Sequence, residues 1–447
     1  MRKNIPQQLQ NLAFACPKPL YVVGGSVRDF LCGKQAAHFD WDICAPMPAQ
    51  EFAEIATAQG LIVQAVYKNT GTVKLTDCDG VDYEYTCFRS DKYVRGVHVP
   101  VEIHFTDDIA LDARRRDFTV NAIYYDIQAD AFVDPLGGIP DCKEKRLRTV
   151  CGAKKVFGED GLRLMRLARQ AAQLGFSPDE DCLQGAKENA ALIQDISPER
   201  IYTELIALLY SEEKYGNADG AYRGLHLLQE TGVLGYIMPE LALGANMAQR
   251  ADFHKYDVLE HSFRAAWYAD KRVRLAALLH DVGKPFCKLR DGNSYAHHVE
   301  GARLAKEILT RLKAPKKTIE QAYELTLWHM YDFDCKAKET KIRRFFVEHY
   351  AILEELLLIK QADYSACTDD FNEAPTCRKW RSILQKMQAE NAPFTLKTLA
   401  VNGNDLLTLG IPAQKLSTVL HALLLHAAVN PRDNEKRKLL HLANRII

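Results

Sequence analysis

The chain has 447 residues, 47% of them hydrophobic, and its 58 lysines and arginines balance 58 aspartates and glutamates. This length predicts several domains with cores of their own. Because the charges balance, the net charge of the chain cannot attract nucleic acid, and a polyanionic partner would have to bind local basic patches. The twelve cysteines include no CxxC pair, which argues against a zinc ribbon or a disulfide framework. No apolar run reaches eighteen residues, and we expect a soluble cytoplasmic protein with no membrane partner.

The segment from Pro19 to about Asp141 is rich in predicted strands. Seven short runs of β-branched or alternating residues are bounded by Gly, Asp or Asn: LYVVGG, FDWDICA, LIVQAV, GTVKLTDC, VDYEYTCF, VPVEIHF and AIYYDI. Between them, AQEFAEIATAQG has a helical pattern that ends at a plausible C-cap glycine. This segment therefore predicts an α+β head domain.

The pattern becomes helical after Cys151. The stretches GEDGLRLMRLARQAAQLGF, SPERIYTELIALLYSEE and YRGLHLLQETGVLGYIMPEL all have the helical period, and Ser197-Pro198-Glu199 is a good helix start. The rest of the chain, from about Asp252, stays helical. A small polar stretch after Pro239 predicts a joint between helical modules.

The stretch YVVGGSVRDFLCGKQAAHFDWDICA places two carboxylates after a glycine turn. Asp40 and Asp42 share one face of a predicted strand and can aim at one point. Two carboxylates at such a short distance repel each other unless a cation lies between them. Mg²⁺ prefers carboxylate oxygens together with substrate phosphates. Gly24 and Gly25 let the backbone approach a triphosphate, and Arg28 can neutralise it. The combination predicts phosphoryl or nucleotidyl transfer, although GG alone is a turn and DxD alone is usually a solvated strand end.

These residues resemble the signature of the class II tRNA nucleotidyltransferase and bacterial poly(A) polymerase family, a branch of the polymerase-β-like superfamily. Two further stretches are similar to motifs of that family: ARRRDFTVNAIYYD to RRDFTxNA, and GEDGLRLMRLARQAAQLGF to EDxxRxxR. In addition, SPERIYTEL resembles the neck helix of the family. The motifs occur in the order and at the spacing of the family, over essentially the whole chain.

In EDGLRLMRLAR, Asp160, Arg163 and Arg166 recur at three-residue steps, and we expect them on one side of a helix. There Asp160 can accept from an exocyclic amine while Arg163 donates to a ring nitrogen or a carbonyl oxygen. The resemblance implies that these two residues read cytosine or adenine without a template, with Arg166 turned toward the triphosphate. The alternative is an ordinary surface ion pair.

For RRRDFTVNA, the resemblance puts Arg116 and Asp117 on the ribose, with Asn121 shaping the pocket. A polar partner for the 2′-hydroxyl explains a preference for ribonucleotides; the alternative is a basic turn before a buried strand. Glu84, on a predicted strand, is a candidate third carboxylate, and so is Asp82. An exposed strand glutamate is the simpler interpretation.

The segment RSDKYVRGVHVP is polar and contains a glycine, so we expect a loop there. The resemblance implies that this loop is flexible and helps the enzyme to switch between nucleotides.

A second set of candidate residues lies in the helical half. VRLAALLHDVGK puts His280 and Asp281 at the end of an apolar helix; His261 precedes them and Asp363 follows. Imidazoles and carboxylates on separate helices suit a divalent metal held in a bundle, although a lone histidine is more often structural. The set resembles the HD phosphohydrolase domain. This resemblance implies His261, His280, Asp281 and Asp363 as ligands of Ni²⁺, Mn²⁺, Co²⁺ or another divalent metal.

We expect His298 and His329 to be accessory to this set, for a second metal or for a phosphate. In some members of the family the HD domain hydrolyses phosphomonoesters or 2′,3′-cyclic phosphates at RNA ends, and in others it only binds. Because the His, His-Asp, Asp set is complete here, we hypothesise that this domain hydrolyses such phosphate esters.

The resemblance implies an α+β fold class, with a polymerase-β-like nucleotidyltransferase head followed by an all-helical neck, an HD domain and a helical tail. The expected parts are the nucleotidyltransferase head (1–150), a helical nucleobase-recognition and neck region (151–245), the HD metal-dependent domain (246–370) and a helical C-terminal tRNA-binding region (371–447).

The implied function is template-independent addition and repair of the 3′-terminal CCA of tRNA from CTP and ATP, with Mg²⁺ in the head and release of pyrophosphate. Basic stretches that can touch tRNA phosphates are KEKRLR, KAPKK, KAKETKIRR and PRDNEKRK, each of which alone is usually a solvated helix face. Open alternatives are a poly(A) polymerase, a CC- or A-adding enzyme, an HD phosphohydrolase whose head merely binds nucleotides, and a non-catalytic RNA-binding protein. The oligomeric state is not determined by these motifs.

Overall fold

The structure, a computed structural model, describes residues 1–34, 41–94 and 97–446. The chain divides into two compact units, Met1–Ala242 and Leu243–Ile447. Among the described helices, none combines the length and apolar character that crossing a bilayer requires.

The first unit contains all of the described strands. They are β1 (Tyr21–Val23), β2 (Trp41–Ala45), β3 (Ile62–Tyr67), β4 (Thr72–Thr76), β5 (Asp82–Cys87), β6 (Arg89–Val94), β7 (Val97–Phe105), β8 (Tyr124–Asp126), β9 (Ala131–Val133), β10 (Arg146–Leu147) and β11 (Ser177–Pro178).

The α-helices of this unit flank the strands and then continue alone. They are α1 (Gln7–Ala15), α2 (Gly25–Leu31), α3 (Ala49–Ala58), α4 (Ile109–Arg114), α5 (Gly138–Glu144), α6 (Ala153–Glu159), α7 (Leu162–Leu174), α8 (Glu180–Asn189), α9 (Pro198–Leu209), α10 (Glu212–Tyr215), α11 (Gly220–Glu230), α12 (Leu234–Ile237) and α13 (Pro239–Ala242).

The second unit is helical in its described residues. Its helices are α14 (Val258–Tyr268), α15 (Arg274–Leu279), α16 (Lys284–Asp291), α17 (His297–Arg311), α18 (Lys316–Trp328), α19 (Glu339–Glu348), α20 (Leu353–Thr368), α21 (Pro375–Ala389), α22 (Gly403–Thr408), α23 (Leu416–Val429) and α24 (Lys436–Ile446).

Seven strands form one mixed sheet in the order β3-β4-β5-β2-β1-β8-β9. Strands β2 and β5 run parallel, and the other described neighbours in this sheet run antiparallel. Helix α3 covers one face, where the ring of Phe52 stacks on Tyr85 of β5 with 3.7 Å between centroids. Because side chains alternate along a strand, Glu84 next to Tyr85 points to the opposite face. Helix α3 does not cover that face at this point, and the candidate carboxylates Asp42 and Glu84 lie on it.

The fold class expected from the sequence, a mixed α+β head followed by helices, is confirmed. All seven predicted strand runs are strands, and α3 ends at Ala58, just before the predicted glycine at position 60. The expectation of a loop in RSDKYVRGVHVP is wrong for its described residues, because β6 and β7 pair as an antiparallel ribbon. An ion pair across this ribbon, 3.1 Å between Lys92 Nζ and Glu102 Oε1, shows why polar composition alone misled.

In the second unit, four helices pack around one centre: α14 against α15 and α20, and α18 against α15 and α20. Their facing residues are apolar and fully buried, for example Phe263 of α14, Leu278 of α15 and Leu325 of α18. Each of these helices also contributes a polar residue to the centre, either within the helix or directly after its last turn. The centre is the second candidate site.

Candidate active site and metal cluster

Two carboxylates lie on the polar face of the sheet. Asp42 is the exposed residue of β2, between the buried Trp41 and Ile43. Its register partner in the parallel strand β5 is Glu84, which is about half exposed and lies 3.9 Å from Lys74 Nζ. Asp40 lies outside the described residues. Carboxylates on adjacent strands of one face have the donor chemistry that Mg²⁺ prefers.

The backbone of Gly24 comes close to Asp42. Gly24 has φ +80° and ψ −138°, a conformation that is essentially restricted to glycine. A Cβ atom at this position would lie 3.1 Å from Asp42 Oδ2. Gly24 therefore holds the turn before α2 against the carboxylate, which is the close backbone approach expected from the sequence.

The Arg28 guanidinium of α2 is buried and bound on several sides. It donates to Asp29 Oδ1 from Nε (2.9 Å) and Nη2 (2.7 Å), and to Asn121 Oδ1 from Nη1 (2.7 Å). The Tyr215 hydroxyl accepts from Arg28 Nη2 at 2.9 Å and donates to Asp29 Oδ2 at 2.6 Å. Burial alone would lower the pKa of Arg28, but Asp29 and Tyr215 outweigh it and raise that pKa, so the charge persists.

Asp117 continues the same chain of hydrogen bonds. Its Oδ1 accepts from Asn121 Nδ2 at 2.9 Å, and its Oδ2 accepts from Arg166 at 2.8 Å (Nε) and 2.5 Å (Nη2). Burial would raise the pKa of Asp117, but the charge of Arg166 and the Asn121 amide hold it below its usual range. Arg28, Asn121, Asp117 and Arg166 thus form one connected network that joins all three sequence motifs.

Arg116 is held by a residue that the sequence analysis missed, Asp112 of α4. Asp112 is completely buried; its Oδ2 accepts from Arg116 Nη2 at 3.1 Å and from the Tyr124 hydroxyl at 2.7 Å, and its Oδ1 accepts from Arg115 Nε at 2.7 Å. Burial alone would raise the pKa of Asp112, but Arg116 and Arg115 lower it to about 2. Asp112 precedes Arg115 by three residues and Arg116 by four, and this helical spacing was the sequence signal that could have predicted the two ion pairs.

The expectation that Asp160 shares a helix face with Arg163 and Arg166 is wrong. Helix α6 ends at Glu159 and α7 begins at Leu162, and Asp160 lies between them with extended backbone, φ −145°. Asp160 Oδ1 accepts from the backbone N–H of Leu162 at 3.0 Å. A free amide at the start of a helix attracts a carboxylate, and this local hydrogen bond competes with helix continuation.

Arg163 is on α7, buried, and bound to the protein. Its Nη1 donates to the Val156 carbonyl at 3.0 Å and to Glu159 Oε2 at 3.1 Å, and its Nη2 donates to the Arg115 carbonyl at 2.8 Å. The guanidinium also lies 5.6 Å from the ring centroid of Tyr93 in β6. Arg163 therefore connects the start of α7 with the segment that carries Arg115 and Arg116.

In the second unit, the structure brings the four predicted metal-binding residues together. The Nε2 atoms of His261 and His280 are 3.2 Å apart. Asp363 Oδ1 lies 3.1 Å from His261 Nε2 and 3.4 Å from His280 Nε2, and Asp281 Oδ2 lies 3.3 Å from each. Two imidazole nitrogens and two carboxylates that converge in a buried centre fit a divalent metal.

This cluster contains further residues. His297 Nε2 lies 3.1 Å from Asp281 Oδ1 and 3.4 Å from His329 Nε2, and Lys284 Nζ lies 2.5 Å from Asp281 Oδ2. We expected His298 together with His329, but the structure places His297 in this position. The two histidines are adjacent in the sequence, and only the orientation of α17 distinguishes them.

Three family models match the chain. They are the poly A polymerase head domain at residues 20–148, the probable RNA and SrmB-binding site of polymerase A at residues 175–243, and the HD domain at residues 254–366.

Similar proteins extend over nearly the whole chain. The chain is 31% identical over 427 residues to an A-adding tRNA nucleotidyltransferase of Deinococcus radiodurans, covering 91% of each chain. It is 29% identical over 428 residues to a CCA-adding enzyme of Geobacillus stearothermophilus, covering 94% of this chain and 91% of that one. A crystal structure of the Bacillus stearothermophilus CCA-adding enzyme in complex with CTP matches with a TM-score of 0.67 and 27% identity, over 98% of this chain and 96% of that one. The chain is therefore an enzyme of the class II tRNA nucleotidyltransferase and poly(A) polymerase family, with an HD domain.

Proposed function

We propose that the protein adds and repairs the 3′-terminal CCA of tRNA, using CTP and ATP, releasing pyrophosphate and requiring no template. The relatives with which it shares nearly its whole length are named for A or CCA addition, and one was crystallised with CTP. The observation that carries the proposal is the carboxylate face of Asp42 and Glu84, with the Gly24 backbone against Asp42.

We expect Asp40 and Asp42 to be the residues that would hold Mg²⁺, and Glu84 lies beside Asp42. When bound, Mg²⁺ would lower the pKa of the tRNA 3′-hydroxyl and stabilise the leaving pyrophosphate. Gly24 and Gly25 admit the triphosphate close to the backbone.

The connected network of the first unit positions the nucleotide. Arg28 and Arg166 supply positive charge for the triphosphate, while Arg116 and Asp117 bind the ribose and Asn121 shapes the pocket between them. Support comes from the network itself, because its hydrogen bonds fix the guanidinium and carboxylate orientations before substrate arrives.

Asp160 and Arg163 select the base. Asp160 lies at the break before α7, outside the helical hydrogen bonding, with its Oδ2 3.8 Å from Arg200 Nη2. Its carboxylate accepts from the exocyclic amine that cytosine and adenine share, and Arg163 donates to the neighbouring ring position. The protein would thereby replace a template.

The experiment that tests this proposal uses three tRNAs, ending at the discriminator base, at C and at CC, each incubated with labelled CTP or ATP. Incorporation of both C and A in order supports the proposal. Addition of A to tRNA-CC alone would indicate an A-adding enzyme, the activity named for the Deinococcus relative, and a run of A would indicate a poly(A) polymerase. Asp42→Ala should abolish addition and leave tRNA binding intact; retained addition refutes the metal assignment.

A second activity, metal-dependent phosphohydrolysis, is favoured by the cluster in the second unit. The residues that would hold Ni²⁺, Mn²⁺, Co²⁺ or another divalent ion are His261, His280, Asp281 and Asp363. Such an ion would supply an activated water for attack on a phosphomonoester or a 2′,3′-cyclic phosphate. The test is turnover of such nucleotides with each metal, and His280→Ala should remove it without affecting CCA addition. No turnover with any of these metals disposes of the hypothesis.

We assign these functions to the four parts expected from the sequence: the head at 1–150, base recognition and the neck at 151–245, the HD domain at 246–370 and the tRNA-binding tail at 371–447. A cytoplasmic location agrees with the twelve cysteines, which are all described and are all free thiols.

A further inference from the structure

The metal cluster of the second unit continues into a group that the HD set does not include. One imidazole nitrogen of His254, one of His261 and the Sγ atom of Cys367 lie within 4.8 Å of one another. His261 is shared with the HD set. His254 and Cys367 are outside that set.

Three elements bring these residues together. Cys367 is four residues after Asp363 in α20, so the two side chains occupy the same face, one turn apart. His254 precedes α14, and its ring meets the ring of His261 edge-on with 4.9 Å between centroids. The backbone N–H of Lys255 donates to the Cys367 carbonyl at 2.9 Å, which ties this segment to the end of α20.

A second observation points to a ligand at this position. Among the described residues, the Nδ1 atoms of His254 and His261 are buried and have no hydrogen-bond partner. Buried polar nitrogens without partners are uncommon, because each forfeits the hydrogen bonds it had with water. Coordination of a metal ion would satisfy such a nitrogen as a hydrogen bond does.

We infer that His254, His261 and Cys367 form a binding site for a borderline-soft divalent ion of the Zn²⁺ class. Thiolate and imidazole together select such an ion over Mg²⁺, and three protein ligands leave a fourth position open for water. Binding displaces the thiol proton of Cys367 to solvent, and the thiolate electron pair forms the bond to the metal.

His261 takes part through Nδ1, because its Nε2 lies 3.1 Å from Asp363 Oδ1. In this tautomer Nε2–H donates to the carboxylate. A neutral His261 therefore serves either this ion or the HD ion, one at a time. The site goes beyond the proposed nucleotidyl transfer and does not depend on it.

The experiment titrates the metal-free full-length protein with Co²⁺ alone. A cobalt–thiolate bond gives a charge-transfer absorption in the near ultraviolet, which imidazole and carboxylate ligands do not give. We expect this band in the wild-type protein, its loss in Cys367→Ser and in His254→Ala, and its retention in Cys335→Ser, a partly buried cysteine of the same unit. No band in the wild type, or an unchanged band in Cys367→Ser, overturns the inference.

A second measurement uses only the wild-type protein, so its result does not depend on whether a variant folds. Alkylation of Cys367, followed by peptide mass mapping, should be slower by about tenfold or more with Zn²⁺ bound, since the metal-bound thiolate is no longer a free nucleophile. Equal rates with and without Zn²⁺ contradict the site. Neither readout requires CCA addition or hydrolysis, so failure of the proposed function would be recognised separately.

Discussion

Asp42 in β2 and Glu84 in β5 are register partners of two parallel strands, and their side chains leave the sheet on the same face. We therefore predict that Glu84→Gln lowers kcat for CTP and ATP addition by about 10–100-fold, because a carboxylate next to the proposed metal is lost while the side-chain volume is kept. The measurement is single-turnover addition at saturating Mg²⁺.

The matched control is Asp82→Asn, two residues earlier on the same strand and the same face. Asp82 is exposed and its Oδ1 accepts from the Thr76 hydroxyl at 2.6 Å. Asp82 was the other candidate for a third carboxylate, but among the described residues its register partner is Thr76 of β4 and no residue of β2, so this variant should keep the wild-type kcat. Equal losses in both variants would assign the effect to the sheet rather than to Glu84.

Gly24→Ala should abolish addition. The backbone at Gly24 has φ +80°, and the new Cβ would lie 3.1 Å from Asp42 Oδ2, so the carboxylate must move. Gly33→Ala separates the two effects, since Gly33 also has positive φ (+64°) but a Cβ there meets nothing within 4 Å. Both variants should lose about 1–2 kcal/mol of unfolding free energy, and only Gly24→Ala should lose activity. An active Gly24→Ala enzyme contradicts the proposed close approach.

Asp112→Asn should destabilise the protein and change its response to acid. Burial, Arg116 and Arg115 together leave the pKa of Asp112 at about 2 in the folded state, below the unfolded value of about 4. A depressed pKa stabilises the fold above about pH 4, and this contribution disappears as the pH falls from about 4 to about 2. It amounts to about 2–3 kcal/mol.

The measurement is the unfolding free energy from urea titrations at pH 6, 4 and 3, pH values chosen to span about the expected window. The wild type should lose more stability than Asp112→Asn between the two lower pH values. Asp82→Asn again serves as the exposed control and should follow the wild type. Parallel curves for the wild type and Asp112→Asn would show that the buried carboxylate is not the titrating group.

Tyr215→Phe should raise the KM for nucleotide more than it lowers kcat. The Tyr215 hydroxyl bridges Arg28 and Asp29. Its removal takes away one of the hydrogen bonds that fix the guanidinium assigned to the triphosphate, and leaves Asp29 Oδ2 without this donor. A loss of about 1 kcal/mol of unfolding free energy should accompany it. Tyr236→Phe, at an exposed position of α12, is the control and should change neither quantity. An unchanged KM in Tyr215→Phe argues against a positioning role.

The elements of the fold follow from short-range patterns. Alternation over four to six residues marked β2, β4 and β5, and the Ser197-Pro198 start marked α9, because these signals depend only on neighbours along the chain. The same reasoning failed at β6, whose polar side chains are satisfied by a partner strand, and at Asp160, where a helix start competes with helix continuation.

The residue types at both sites could also be read from linear motifs, and so could the family. The motifs named Arg28, Asn121, Asp117 and Arg166 separately, but gave no sign that they hydrogen-bond to one another, nor that Tyr215 of α10 joins Arg28 and Asp29. Those contacts span up to 187 residues of chain.

Local order along the chain was enough to predict seven of the eleven described strands, most of the helices and the chemistry of the motifs, because propensity and side-chain type act over a few residues. Only the packed structure decided three relationships: that His297 rather than His298 joins the metal cluster, that Asp42 pairs with Glu84, and that His254 lies near Cys367. The physical reason is that burial and strand register place distant residues side by side, and neither is encoded in the spacing of any single segment.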